Sequence, residues 1–95
     1  MSSTAFEIYE QLRDSHHTLK NLVNALYALT EESTPFSDTI EDFVKLLEEK
    51  PYNYVRWEKV VANTNNRAVQ IIHGEYLKES KNFMILVKTK YIQDT

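Results

Sequence analysis

The sequence predicts an all-α protein, either a small antiparallel helical bundle or a stack of helical hairpins, with a long N-terminal helix. One glycine and two prolines among 95 residues argue against the many tight turns of a β-sandwich. The first 30 residues carry an apolar heptad repeat, and a short amphipathic segment with helix-start signals follows them. A chain of this length forms one domain, spanning residues 1–95, with a small core.

The first helix is predicted over about residues 4–31, because apolar residues recur there at alternating a and d positions. Ser15 is the only polar member of this seam. At 1.5 Å per residue the helix would be about 40 Å long, longer than a compact globule of this chain, so we expect it to overhang its own bundle. The seam consists of Ala5, Ile8, Leu12, Ser15, Leu19, Leu22, Leu26 and Leu29.

Two shorter helices are predicted next, over about residues 38–50 and 53–62. Pro35 marks a turn before the first of them, and a capping-box pattern of Asp38 and Glu41 starts it. Pro51 ends it. The second helix carries Tyr54, Trp57, Val60 and Val61 in one stripe, and we expect Trp57 in the core, since the single tryptophan of a small domain is usually central to packing.

The C-terminal third of the chain allows two interpretations. A stripe of Ala68, Val69, Ile72 and Tyr76 predicts a helix over about residues 66–79, although Ile71 and Leu77 fall outside it and Gly74 costs about 1 kcal/mol inside a helix. Residues 82–93 alternate like a strand and also form a helical row. If the strand interpretation held throughout, residues 54–92 would form a three-stranded antiparallel meander under two helices, an α+β fold.

A comparison of the chain with itself at an offset of 29 residues favours helices, because Phe43 then matches Ile72 and Tyr54 matches Phe83. The stretch FVKLLEEKPYNYVRWEKVV, residues 43–61, resembles the junction in half-a-TPR (HAT) and related tetratricopeptide helical repeats. In those repeats one helix ends at a proline and the next begins just before a buried tryptophan. The resemblance covers about residues 41–93 and implies a scaffold for protein partners, which in HAT proteins often belong to RNA-processing assemblies.

Catalytic and metal-binding patterns are missing from the sequence. The absence of cysteine excludes disulfides and thiolate chemistry. His16 and His17 are adjacent, so on a helix they point about 100° apart and do not share an ion. His73 and Glu75 have the spacing of zinc deaminases without the required cysteines. We therefore expect no enzyme activity, no catalytic residue, no metal and no cofactor, and a cytoplasmic or nuclear protein without a membrane span.

The seam predicts an interaction protein: an adaptor, a complex subunit or an inhibitor that binds a protein partner or a second copy of itself. The residues predicted to form this surface are Tyr9, Leu12, Leu19, Leu22, Leu26 and Tyr27.

Charge suggests an alternative function. Residues 1–50 hold ten acids and four bases, whereas residues 51–95 hold four acids and seven bases. A basic second half containing several aromatic residues is typical of nucleic-acid-binding regulators. The residues predicted to contact nucleic acid are Arg56, Lys59, Arg67, Lys88 and Lys90.

Overall fold

A computed structural model describes the backbone of residues 2–94 and the side chains of residues 4–91, and this part of the chain contains four helices and no strand. The all-α prediction is confirmed, and the ends of the first three helices lie within two residues of their predicted positions. The helices are α1 (Ser2–Thr30), α2 (Ile40–Glu49), α3 (Tyr52–Ala62) and α4 (Arg67–Asp94).

The largest difference from the prediction is α4, which is one helix of 28 residues. The predicted helix over 66–79 and the ambiguous segment 82–93 are parts of this single helix, and the meander interpretation is wrong. Val69, Tyr76 and Phe83 are all buried at a spacing of seven residues, so one packing row continues through the proposed boundary. Ile85 contributes to the strand-like alternation of residues 82–93, but in the structure it is an exposed apolar residue of α4, 62% exposed.

α1 and α4 run antiparallel and are the most closely packed pair of helices. The Ser15 hydroxyl on α1 donates a hydrogen bond to the Glu79 carboxylate on α4. Leu12, which precedes Ser15, lines a pocket together with Val87, which follows Glu79. The only polar residue of the seam therefore links the two long helices.

α2 and α3 follow one another along α4 and together form a third rod. The ring of Phe43 on α2 packs against Phe83, with centroids 5.4 Å apart, and Trp57 on α3 packs edge-on against Tyr76 at 5.5 Å. Both short helices thus run antiparallel to α4. The result is a three-rod bundle with dimensions of 47 × 24 × 17 Å.

The third rod is broken at Lys50 and Pro51. Lys50 takes the left-handed conformation with φ of 47°, and its N–H donates to the carbonyl of Leu46 over 3.0 Å. Pro51 caps the start of α3 in an extended conformation. A residue before proline is disfavoured in the α region, so the sequence itself interrupts the rod.

Residues 31–39 return along α1 to the start of α2. His16 Nε2 donates to the Ser37 carbonyl over 2.9 Å, and the imidazole stacks on Phe36 with centroids 5.0 Å apart. The Thr39 side chain then accepts a hydrogen bond from the Asp42 N–H and caps α2. The predicted capping residue, Asp38, is therefore wrong by one position.

The core contains half of the predicted α1 seam together with the predicted aromatic centre. Leu12, Leu19 and Leu26 are buried together with Trp57, whose predicted core position is confirmed. Leu29, at the end of the seam, is exposed. α1 does not extend beyond the bundle as expected. The continuous α4 is nearly as long as α1, so the bundle itself is elongated.

Gly74 provides a test of the continuous α4. It lies on the exposed side of the helix without a positive φ, and a Cβ added there has no neighbour within 4 Å. We expect Gly74→Ala to raise the free energy of unfolding by about 0.5–1 kcal/mol in urea denaturation, because alanine loses less conformational entropy in a helix. Lys78→Gly, one turn further on, is the matched control and should lower it by a similar amount. Destabilisation by Gly74→Ala would contradict the open environment of this position.

Candidate functional site

The α1 residues predicted to bind a partner are distributed between the core and the surface. Leu12, Leu19 and Leu26 are buried and Leu22 is half-buried, so in this fold these leucines pack mainly within their own chain. Tyr9 and Tyr27 are exposed. They lie 18 positions apart, about 27 Å along the helix, so they do not form one continuous patch.

The five basic residues predicted to contact nucleic acid lie on different parts of the surface. Arg56 Nη1 on α3 lies 3.5 Å from a carboxylate oxygen of Glu32. Lys59 is exposed on α3, whereas Arg67 and Lys88 are exposed near opposite ends of α4. Lys90 is half-buried and lines a pocket between α1, α2 and α4. The structure therefore does not bring these five cations into one cluster.

An open groove of about 530 Å³ runs between the α2–α3 rod and α4, and we call it the α4 groove. It lies beside the break at Lys50 and Pro51, where the end of α2 and the start of α3 leave a gap. Its apolar lining comes from Leu47, Leu77, Met84 and Ile85. A volume of this size lies within the range of about 300–1,000 Å³ that ligand sites in proteins have.

Lysines surround the apolar lining on both sides of the groove. Lys50 belongs to the α2–α3 rod, and Lys81 and Lys88 belong to α4. Glu58 on α3 is the only acid among the lining residues. The groove thus combines an apolar floor with a cationic rim.

The exposed side of α4 continues this surface beyond the groove. We call it the α4 face, and helical spacing places on it Ile71, Gly74, Leu77, Lys78, Lys81, Ile85 and Lys88. Ile71 is 57% exposed and Leu77 is 42% exposed. The acids Glu75 and Glu79 lie one turn apart on another row of the helix, and Glu79 contacts α1. The α4 face therefore carries apolar and basic side chains without an acid.

The inner wall of the groove is a pair of buried tyrosines. The hydroxyl oxygens of Tyr54 and Tyr76 are 2.7 Å apart and share a hydrogen bond between α3 and α4. Burial raises the pKa of both phenols, and the neighbouring Tyr76 raises the pKa of Tyr54 further. Both rings also pack against Trp57. This wall is part of the core and is formed before any ligand arrives.

The polar side chains that line the groove carry amines, phenols, one carboxylate and the Ser80 hydroxyl, a set suited to recognition of charge. In the described part of the chain, no three His, Asp or Glu side chains are grouped as a metal site requires. His73 and Glu75, the pair with deaminase-like spacing, do not line the groove, and Glu75 is exposed. None of the helices within residues 2–94 combines the length and hydropathy needed to cross a bilayer.

Sequence reasoning missed the groove although part of its signal was visible. Ile71 and Leu77 lie outside the predicted buried stripe, and apolar residues outside such a stripe are expected to be exposed. Ile85 belongs both to the strand-like alternation and to a helical face, and the face is visible only when residues 66–93 are projected as one helix. A helical projection of the whole of α4 places Gly74, Leu77, Lys81 and Ile85 on one side.

The tyrosine pair generates a stability prediction. Tyr54→Phe or Tyr76→Phe leaves the other hydroxyl buried without this partner, so we expect each to lower the free energy of unfolding by about 1–3 kcal/mol. The double variant should lose less free energy of unfolding than the sum of the two single losses, because it leaves neither hydroxyl buried without a partner. Urea denaturation of the four proteins measures this coupling. Tyr52→Phe, at an exposed position, is the control, and strictly additive losses would refute the proposed pairing.

The raised pKa values of the same pair predict a loss of stability in alkali. In the unfolded chain both phenols ionise near their ordinary pKa of about 10, whereas in the folded chain they stay protonated at that pH. The unfolded state then binds fewer protons, so the free energy of unfolding should fall above about pH 10, by up to about 1.4 kcal/mol per pH unit for each tyrosine. The variant carrying both Tyr54→Phe and Tyr76→Phe should show a shallower fall in the same denaturation series. Equal slopes for the two proteins would contradict the burial of the phenols.

A scan against protein-family models, a search of curated proteins and a search of solved structures each give no match to this chain. The resemblance to HAT and tetratricopeptide repeats stays a prediction.

Proposed function

We propose that this protein is a small non-catalytic interaction module that binds a protein partner through the α4 groove and the adjoining α4 face. Such a module acts as an adaptor, a complex subunit or an inhibitor. The observation that carries the proposal is that Leu77 and Ile85, which line the α4 groove, are exposed in the folded chain, and that Ile71 is exposed further along the same helix. Exposed apolar side chains bordered by polar ones are typical of protein-binding surfaces.

The packing of the groove wall supports this proposal. Tyr54 and Tyr76 are fixed by their mutual hydrogen bond and by Trp57, so a partner meets a preformed surface. A preformed site loses less conformational entropy on binding than a mobile one does. Compared with the predicted α1 seam, this surface has the advantage that Leu77 and Ile85 are accessible in the folded chain.

Nucleic acid is a second candidate partner, since Lys78, Lys81 and Lys88 all lie on the α4 face. Two observations favour protein over nucleic acid. The aromatic residues that line the groove, Tyr54 and Tyr76, are buried and leave no ring face on which a base could stack. The whole chain carries a formal charge of −3, which opposes a long polyanion.

Site-specific photo-crosslinking tests the proposal. We would replace Ile85 with the photo-reactive residue p-benzoylphenylalanine, irradiate the protein in the cells that produce it, treat the lysate with nuclease and identify adducts by mass spectrometry. We expect one protein adduct at near-stoichiometric yield.

The same replacement at Lys45 is the matched control, because this residue is exposed on α2 away from the groove. It should yield no such adduct. Equal adducts from both positions, no adduct from position 85, or adducts removed by nuclease would each refute a protein-binding α4 groove.

A further inference from the structure

We infer that the α4 groove binds an acidic amphipathic α-helix of the partner, which lies along α4 as a fourth rod of the bundle. This inference rests on the proposed function, and it names the structural element that the partner supplies. It follows from the shape of the groove, from the distribution of charge around it and from the poor fit of other occupants.

The shape of the groove suits a helix. Its lining residues on α4 extend from Tyr76 to Lys88, a length of about 18 Å, or a little over three helical turns. One side is the α2–α3 rod and the other is α4, so a helix placed there packs against two helices at once. Three rods plus one give the arrangement of a four-helix bundle, in which neighbouring helix axes lie about 8–10 Å apart.

The charges around the groove specify the composition of that helix. Its inner stripe contacts Leu47, Leu77 and Ile85 and is therefore apolar. Its flanks meet Lys50 and Glu58 on one side and Lys81 and Lys88 on the other. Three of these four charges are cations, so carboxylates facing the lysines are complementary. Lys81 and Lys88 are seven residues apart, which places matching acids two turns apart on the partner. This pattern is an apolar stripe with glutamate or aspartate on each side.

Other occupants fit less well. A nucleic acid or an anionic bilayer extends beyond the groove and meets the acids of the first 50 residues, whereas a short helix stays within the cationic rim. A second copy of this chain offers the acidic helix α2, but the apolar face of α2 is already packed through Phe43 in its own core. A free fatty acid would leave much of its chain in water, because the groove is open along its length.

A designed peptide tests the inference. The probe is an acetylated 18-residue peptide with leucines in one helical stripe and glutamates on both flanks, labelled for fluorescence anisotropy. We expect it to bind with a dissociation constant of about 100 µM or tighter at low salt and to weaken as salt rises. A peptide with lysine at every glutamate position should bind at least about tenfold more weakly, a difference of about 1.4 kcal/mol or more.

Variants of the protein locate the binding site. A variant combining Lys81→Glu with Lys88→Glu should weaken binding of the acidic peptide at least about tenfold, and Ile85→Glu should also weaken it. Lys45→Glu reverses one charge away from the groove and should leave the affinity unchanged, as should Leu29→Glu, a change at an exposed apolar residue on α1. Circular dichroism of each variant confirms that its helix content is intact.

Any of three outcomes would overturn the inference. The first is that the acidic and basic peptides bind equally well, and the second is that the groove variants bind the acidic peptide as tightly as the Lys45→Glu control does. The third is that the protein floats with phosphatidylserine vesicles in a way that depends on Lys81 and Lys88. The photo-crosslinking experiment distinguishes the proposed protein-binding module from the proposed acidic helix. A protein adduct at position 85 without peptide binding leaves the protein-binding module in place and refutes the acidic helix, whereas failure of both experiments refutes both.

Discussion

The antiparallel packing of α1 on α4 is the interaction on which the rest of the structure depends. Leu12, Leu19 and Leu26 on one helix and Val69, Tyr76 and Phe83 on the other are all buried in a single core. Because the two helices have nearly equal lengths, the bundle is long and narrow. α4 lies between α1 and the broken rod, and its remaining side faces solvent. The candidate site is on that remaining side.

The break at Lys50 and Pro51 gives this side its concave shape. A continuous helix from 40 to 62 would place regular side-chain ridges along α4, whereas the break separates the last turn of α2 from the first turn of α3. Tyr54, the first buried residue after the break, forms its hydrogen bond with Tyr76 and fixes the inner wall. The same residues thus stabilise the core and shape the surface, so changes to this wall affect stability and binding together.

Local patterns predicted the helices well and the candidate site poorly. The seam containing Leu19 and the stripe containing Trp57 were visible because periodicity is a local property. The cap at Thr39 was missed because Asp38 and Thr39 are both good capping residues, and only the path of the returning loop decides between them. Ile85 illustrates the larger difficulty. The exposure of Ile85 depends on α4 being one continuous helix and on which sides of α4 are covered by other helices. Neither can be read from a short stretch of sequence.

The connection through residues 31–39 has a consequence for the order in which the chain assembles. α3 and α4 are joined by a short turn in which Asn66 Oδ1 accepts hydrogen bonds from the Ala68 and Val69 N–H groups, so their contacts are local. The bond between Ser15 and Glu79 joins residues 64 positions apart. Closing so large a loop costs more chain entropy than forming the α3–α4 hairpin does, so we expect the hairpin to form first and α1 to dock late during folding.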